Sequence, residues 1–286
     1  MKKKSQNNKL SKAQIICFIL IAIVCIFAIF EAVYVVLFST DGSIENVTTS
    51  VTNNVPVDEK QNLKENFLKI FQNDLTSNVD TVSIEKKDNK YNLIYTAYNK
   101  VEKSAGKYDI NVQLPHINID SVEAENINNQ INNTFQAKSE SILAEDTAAT
   151  NTVYNIKYKA YLNNDILSLV LECTLKEGNN AQRIIIKTYN YNMKTKEQVK
   201  IEELTEIKKL NKNMIESKIK EEIDSQISME KSLTEAGYEV FNRYPNSDMY
   251  KFESLNNFFI DEKDNLYVLF AYGNTNNTSE MDIIIY

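Results

Sequence analysis

The chain reads as an α+β protein: an N-terminal transmembrane helix followed by two linked units of helices packed on antiparallel sheets. Three observations predict this. Residues 15–38 form one apolar run broken only by Glu31. Beyond it, apolar residues recur at period two in neighbouring groups, and longer stripes at helical spacing separate those groups. Strands grouped in meanders with helices between the groups specify segregated layers of antiparallel sheet and helix, rather than a parallel α/β fold.

The apolar run comes first. A hydrocarbon core of about 30 Å needs roughly 20 helical residues, and Ile15 to Phe38 supplies that length without the small-residue cleavage site of a signal peptide. Lys2, Lys3, Lys4, Lys9 and Lys12 precede it, and Asp41 and Glu45 follow, so the lysine bias places residues 1–14 in the cytoplasm as a basic tail. The expected location is the cell membrane, single-pass, with everything beyond the run outside. Glu31 lies about two turns from the outer end, where a carboxylate can be protonated, reach the headgroups or pair with another helix. Residues 39–57 are rich in Ser, Thr, Asn and Val and read as a tether.

The first unit is expected over 58–185. Asp58 offers an N-cap, and Leu63, Phe67, Ile70, Phe71 and Leu75 follow at helical spacing. Val82 and Ile84, then Tyr91, Leu93, Tyr95 and Ala97, alternate around Lys86–Lys90 as a hairpin. Tyr108, Ile110, Val112 and Leu114 form a strand closed by Pro115. Asp120 with Glu123 signals a helix whose stripe is Ile127, Ile131 and Phe135. Two long strand faces follow, Tyr154 to Leu162 and Leu167 to Leu175, joined at Asn163-Asn164-Asp165. Arg183 to Tyr191 completes the meander after Gly178-Asn179-Asn180.

The second unit is expected over 186–286, with the boundary soft between 178 and 195. A short strand, Gln198 to Ile201, leads into one long helix with Ile207, Leu210, Met214, Ile223 and Ile227 inward. Strands at Phe258–Ile260, Leu266–Phe270 and Met281–Tyr286 close the chain, the first two flanking a turn at Asp261–Asn265.

Composition narrows the chemistry. Of 32 Lys and Arg and 39 Asp and Glu, the part beyond the apolar run holds 27 and 38, a net charge of −11. That disfavours nucleic acid and favours a cationic partner through salt-dependent attraction. His116 is the only histidine, so a zinc site with two or three His ligands cannot be assembled, and no G-x-S-x-G elbow is present. His116 itself is expected at a strand-to-helix corner, bonding loose backbone groups. The five glycines are scattered, which excludes phosphate-cradling loops. Cys17 and Cys25 fall in the apolar run, and Cys173 shares a strand face with leucines, where a buried structural thiol is expected. The expectation is a binding module and not an enzyme, with no cofactor and no metal. Two alternatives from other classes are a wall-associated hydrolase using dispersed carboxylates and a structural accessory subunit paired laterally through Glu31.

Several motifs resemble a known family. Tyr108-Asp-Ile-Asn-Val-Gln-Leu-Pro-His-Ile-Asn-Ile-Asp120 with Ile127-Asn-Asn-Gln-Ile131 resembles the first of two paired domains of unknown function in exported Firmicute proteins. Tyr191 to Val199, the long helix, Asn257 to Leu266 and the terminal Ile-Ile-Ile-Tyr286 resemble the second. The pair forms the exterior half of lysozyme-sensing, RsiV-type anti-sigma factors and precedes the catalytic domain of some peptidoglycan deacetylases. The resemblance implies a Gram-positive cell-envelope protein that binds lysozyme or a similar cationic extracellular protein. It also implies partner contacts on the loop Ala271–Ser279, carried by Tyr272, Asn274 and Asn276. Fourteen residues precede the apolar run, too few for that family's sigma-binding segment, so a sigma factor is not an expected partner.

Overall fold

A computed structural model describes residues 59–72, 85–144, 151–238, 240, 243–272 and 280–286. The apolar run with Glu31, the tether, Asp58, Leu75, Val82 and Ile84 lie outside the described residues. Among the described residues no helix is long and apolar enough to cross a membrane. The fold is mixed α+β: a six-stranded sheet in the order β1-β2-β3-β4-β5-β6, a three-stranded sheet in the order β7-β8-β9, and several helices.

The first sheet begins with β1 (Ile94–Ser104) and β2 (Tyr108–Ile117), an antiparallel hairpin turning through Gly106 at φ 74°. The left-handed φ is one that glycine adopts without steric cost. The arm expected from Tyr91 starts at Ile94 and pairs with the strand that follows it, while the other expected arm, Val82 and Ile84, falls outside the described residues. From β2 the chain enters α1 (Val122–Ile131), a π-helical turn (Asn132–Gln136) and α2 (Ala137–Ala144), then returns as β3 (Thr152–Asn163) parallel to β2. A parallel neighbour needs such a crossover, so the sheet is not antiparallel throughout. Ser121, not Asp120, caps α1, its hydroxyl accepting from the Ala124 N–H at 3.0 Å. β4 (Ile166–Lys176) and β5 (Arg183–Asn192) continue antiparallel, and β6 (Glu197–Gln198) pairs with Tyr191 and Asn192 alone.

Where one long helix was expected, the chain makes two. Helix α3 (Ile201–Ile207) ends where Lys209 takes φ 54°, and Asn211 caps α4 (Lys212–Glu235) by accepting from the Met214 N–H. The break resets the helical phase. Ile215, Ile219 and Ile223 are buried, whereas Ile207 and Met214 face solvent; of the expected stripe, Ile223 is buried, and Leu210 and Ile227 pack partly. Ile201 opens α3 instead of ending a strand. The second sheet is β7 (Asn257–Ile260), β8 (Leu266–Tyr272) and β9 (Glu280–Ile285).

Alternation along these strands builds four layers. Odd residues of β4 (Leu167, Leu169, Leu171, Cys173) and even residues of β3 (Tyr154, Ile156, Tyr158) pack with Ile127, Ile131 and Phe135 of the crossover. On the outer side of the second sheet, Phe258, Val268, Phe270 and Ile284 pack with α4. Between the sheets lie Tyr161, Val170, Ile186, Phe259, Tyr267, Leu269 and Ile285. Phe259 stacks between Tyr161 (5.6 Å) and Tyr267 (4.3 Å). Phe67 and Phe71 join this layer from a 3₁₀ turn (Phe67–Gln72) that follows a short helix (Glu59–Glu65). The position between 185 and 186 falls inside β5.

Polar side chains also cross between the sheets. β7 is an edge strand, and its outer backbone groups are met by β4 and β5. The Phe258 N–H donates to Thr188 Oγ1 (3.0 Å), the Ile260 N–H donates to Ser168 Oγ (3.3 Å), and Asn190 Nδ2 donates to the Phe258 carbonyl (2.7 Å). Ser168 Oγ in turn donates to Asn190 Oδ1 at 2.7 Å. Ser168, Thr188 and Asn190 are buried, and these bonds satisfy groups that would otherwise be stranded.

Candidate functional site

The loop expected to bind a partner springs from the three-stranded sheet. Tyr272 is the last residue of β8, and its backbone pairs with Glu280 at the start of β9; Asn274 and Asn276 lie outside the described residues. The stem is anchored by charge. Arg243 reaches Asp282 of β9 through Nε (2.7 Å) and Nη2 (2.8 Å) and also bonds Glu230 of α4. Such fork-on-carboxylate geometry fixes orientation as well as energy. Burial holds the Asp282 carboxyl above the usual carboxylate range even with Arg243 beside it.

Beside the stem, a cleft of about 490 Å³ opens between the 3₁₀ turn and the ends of β5 and β9. Phe67, Leu68, Ile184, Ile186, Met281 and Ile283 give it an apolar floor, with Lys64 and Lys69 at its margin. Lys64 is paired with Glu222.

A second cleft, also about 490 Å³, lies on the opposite face of β5. The π-helical turn contributes Thr134 and Phe135, α2 contributes Lys138, and β5 contributes Ile185, Lys187 and Tyr189. A π turn widens a helix locally and frees a carbonyl; here Tyr154 Oη donates to the Phe135 carbonyl at 3.2 Å. Lys138 pairs with Glu177 (2.7 Å), which Arg183 also reaches (3.2 Å), and the Lys138 contact foremost draws the Glu177 carboxyl below its ordinary range. Lys187 differs. Its amino group lies 5.9 Å from the Tyr189 ring centre, no described carboxylate pairs with it, and burial lowers its pKa. Burial pushes the Cys173 thiol up to about 12 on the same wall, which removes its nucleophilic character at neutral pH.

His116 is placed within β2, not at a corner. Its ring lies 5.1 Å from Tyr95, and its Nε2 is 3.3 Å from Asn128 Nδ2. Partial burial lowers its pKa, so the imidazole is neutral at pH 7. The loose backbone groups of this region are met by asparagines. Asn128 Oδ1 accepts from the Ile117 N–H (2.8 Å) while its Nδ2 donates to the Ile117 carbonyl (3.0 Å), and Asn118 Nδ2 donates to the Asp88 carbonyl (2.8 Å). Asp261 organises its hairpin turn, accepting from the N–H groups of Lys263 (2.9 Å) and Asn265 (2.8 Å). Among the described residues no group of three or more His, Cys, Asp or Glu is placed to hold a metal ion.

Sequence reasoning did not find Lys187 or the two clefts. The run Ile184-Ile185-Ile186 signals a strand packed on both faces. Beyond Tyr191 and Asn192 its outer side has no neighbouring strand among the described residues, because β6 is only two residues long, which strand propensity does not encode. No family model matches the chain, and no curated protein sequence matches it.

Proposed function

We propose that this chain is a single-pass membrane protein, N-terminus inside, that displays two α+β halves outside the cell as a binding or sensing module for a cationic protein such as lysozyme. Each half is a sheet backed by its own helices. The observation that carries this reading is the joint arrangement of charge along the chain: five lysines, an apolar run of membrane length, then a segment of net charge −11. Solvent-facing carboxylates at Glu202, Glu203, Glu206, Glu221 and Asp224 contribute to an acidic helical surface. The apolar cleft beside the Tyr272–Glu280 stem offers desolvated contact area next to the loop that the family resemblance marks, which suits an interface with an apolar centre and a charged rim.

Calorimetric titration of the full-length chain in nanodiscs with a c-type lysozyme, at low and at physiological salt, tests the proposal. Saturable binding that weakens with salt yet persists at physiological strength is expected. Heats no larger than dilution at both salts would sink it. A second reading, lateral pairing of the membrane segment, is favoured by the one carboxylate in the apolar run. Glu31→Leu then abolishes cross-linked membrane complexes, and unchanged cross-linking removes that reading.

A further inference from the structure

Lys187 brings a positive charge to the wall of an apolar cleft without a counter-ion. It is half-buried on the β5 face that also carries Ile185 and Tyr189, and its amino group lies 5.9 Å from the Tyr189 ring centre. Among the described residues no carboxylate pairs with it, and burial alone lowers its pKa. The ring face restores part of the lost hydration. The rest of that loss is a cost that an anion seated beside the ammonium would offset.

The remainder of the cleft is suited to hydrocarbon. Phe135, Cys173, Leu175 and Ile185 line it, and the raised pKa of Cys173 keeps its thiol uncharged at neutral pH. Its volume of about 490 Å³ falls within the range of about 300–1,000 Å³ usual for small-molecule sites. The second cation on the wall, Lys138, is already paired with Glu177 at 2.7 Å, so one positive charge is left unmet. A monoanion cancels that charge, whereas a dianion would leave a negative charge against the same apolar wall.

We propose that the cleft beneath the π-helical turn binds a small aliphatic carboxylate, its carboxylate on Lys187 and its hydrocarbon tail along Phe135, Leu175 and Ile185. Apolar contact supplies the affinity, and the single charge fixes the orientation. The cleft lies on the opposite face of β5 from the cleft beside the loop stem. The inference therefore stands apart from lysozyme recognition, because it needs neither the 273–279 loop nor a cationic partner.

Calorimetric titration of the full-length chain in nanodiscs with hexanoate, measured against the same nanodiscs without protein, tests it. Hexanoate should bind saturably, and hexanol, which keeps the tail and lacks the charge, should bind at least tenfold more weakly. Lys187→Met removes the cation, and Ile185→Asp supplies a carboxylate to Lys187 from the same strand face. Each should weaken hexanoate binding at least tenfold, and Lys187→Met keeps the test informative should Ile185→Asp fail to fold. No heat beyond that of the empty nanodiscs, or an affinity unchanged by Lys187→Met, overturns the proposal. Hexanol bound as tightly as hexanoate would reveal a slot indifferent to charge, and acetyl-trileucine bound where hexanoate is not would assign the cleft to a peptide C-terminus. Either result overturns it equally.

Discussion

The two edges of the six-stranded sheet are built differently. Along β1, Lys100 pairs with Glu102 (2.7 Å), Lys103 pairs with Asp109 (2.5 Å), and the ladder shifts register between Thr96 and Tyr98. Charges and a bulge are how natural sheets prevent edge-to-edge association. On β5 the stretch without a neighbouring strand is Ile184-Ile185-Ile186, flanked by a cleft on each face and buried at Ile186. One edge is guarded by its own side chains, and the other is covered at Ile186 by the elements packed around it. The difference teaches that protection of an edge can lie in its surroundings instead of its own side chains.

The walls beside β5 depend on the second sheet, so the most damaging way to break the comparison is to loosen that sheet. Phe259→Ala removes the ring stacked between Tyr161 and Tyr267 and is expected to cost about 3–5 kcal/mol, read from urea unfolding. A loss below about 1 kcal/mol would mean that the sheets are held by something else. Asn190→Ala strands the Phe258 carbonyl and removes an acceptor for Ser168, and should cost about 1–3 kcal/mol in the same assay. An unchanged midpoint would show that water replaces those bonds.

Replacing the guards of β1 sharpens the contrast with little effect on stability. The double substitution Lys100→Val and Lys103→Val should leave the unfolding free energy within about 0.5 kcal/mol while producing concentration-dependent association in sedimentation velocity. A strictly monomeric double variant would show that the bulge alone suffices. The smallest effect concerns Lys187. Its folded pKa lies below 10.5, so between the folded and unfolded values the unfolded chain binds more protons and stability rises with pH. The wild-type urea midpoint, followed across that window toward pH 10.5, should therefore rise relative to Lys187→Met, and parallel profiles would show that Lys187 is as well solvated as the cations of β1.

Much of the architecture was legible because single-sided burial writes itself as alternation. Tyr154-Ile156-Tyr158 and Leu167-Leu169-Leu171 announce β3 and β4, and Ile127-Ile131-Phe135 announces the crossover stripe. The opposite faces of β4 and β5 were not legible. Ser168, Thr188 and Asn190 look like a wetted face, yet they are buried beneath β7, because their partners are backbone groups more than 65 residues away. The split between α3 and α4 was hidden because apolar residues continue at helical spacing across the four residues between them, with no Gly or Pro to mark the stop. Of the expected partner surface, the stem at Tyr272 is seen as strand. The clefts near it are assembled from the 3₁₀ turn, β5 and β9, whose adjacency no local pattern carries.

The layer between the sheets also sets an order of events. Phe67 and Phe71 enter the interior from the first described segment, and Ile283 and Ile285 from the last; nearby, Lys60 Nζ donates to Asn265 Oδ1 across 205 residues. An emerging chain must hold those two phenylalanines without their final partners until β9 arrives. Contacts this distant in sequence slow folding, so closure of the interior is the last folding step and the one that leaves the chain open to proteolysis longest.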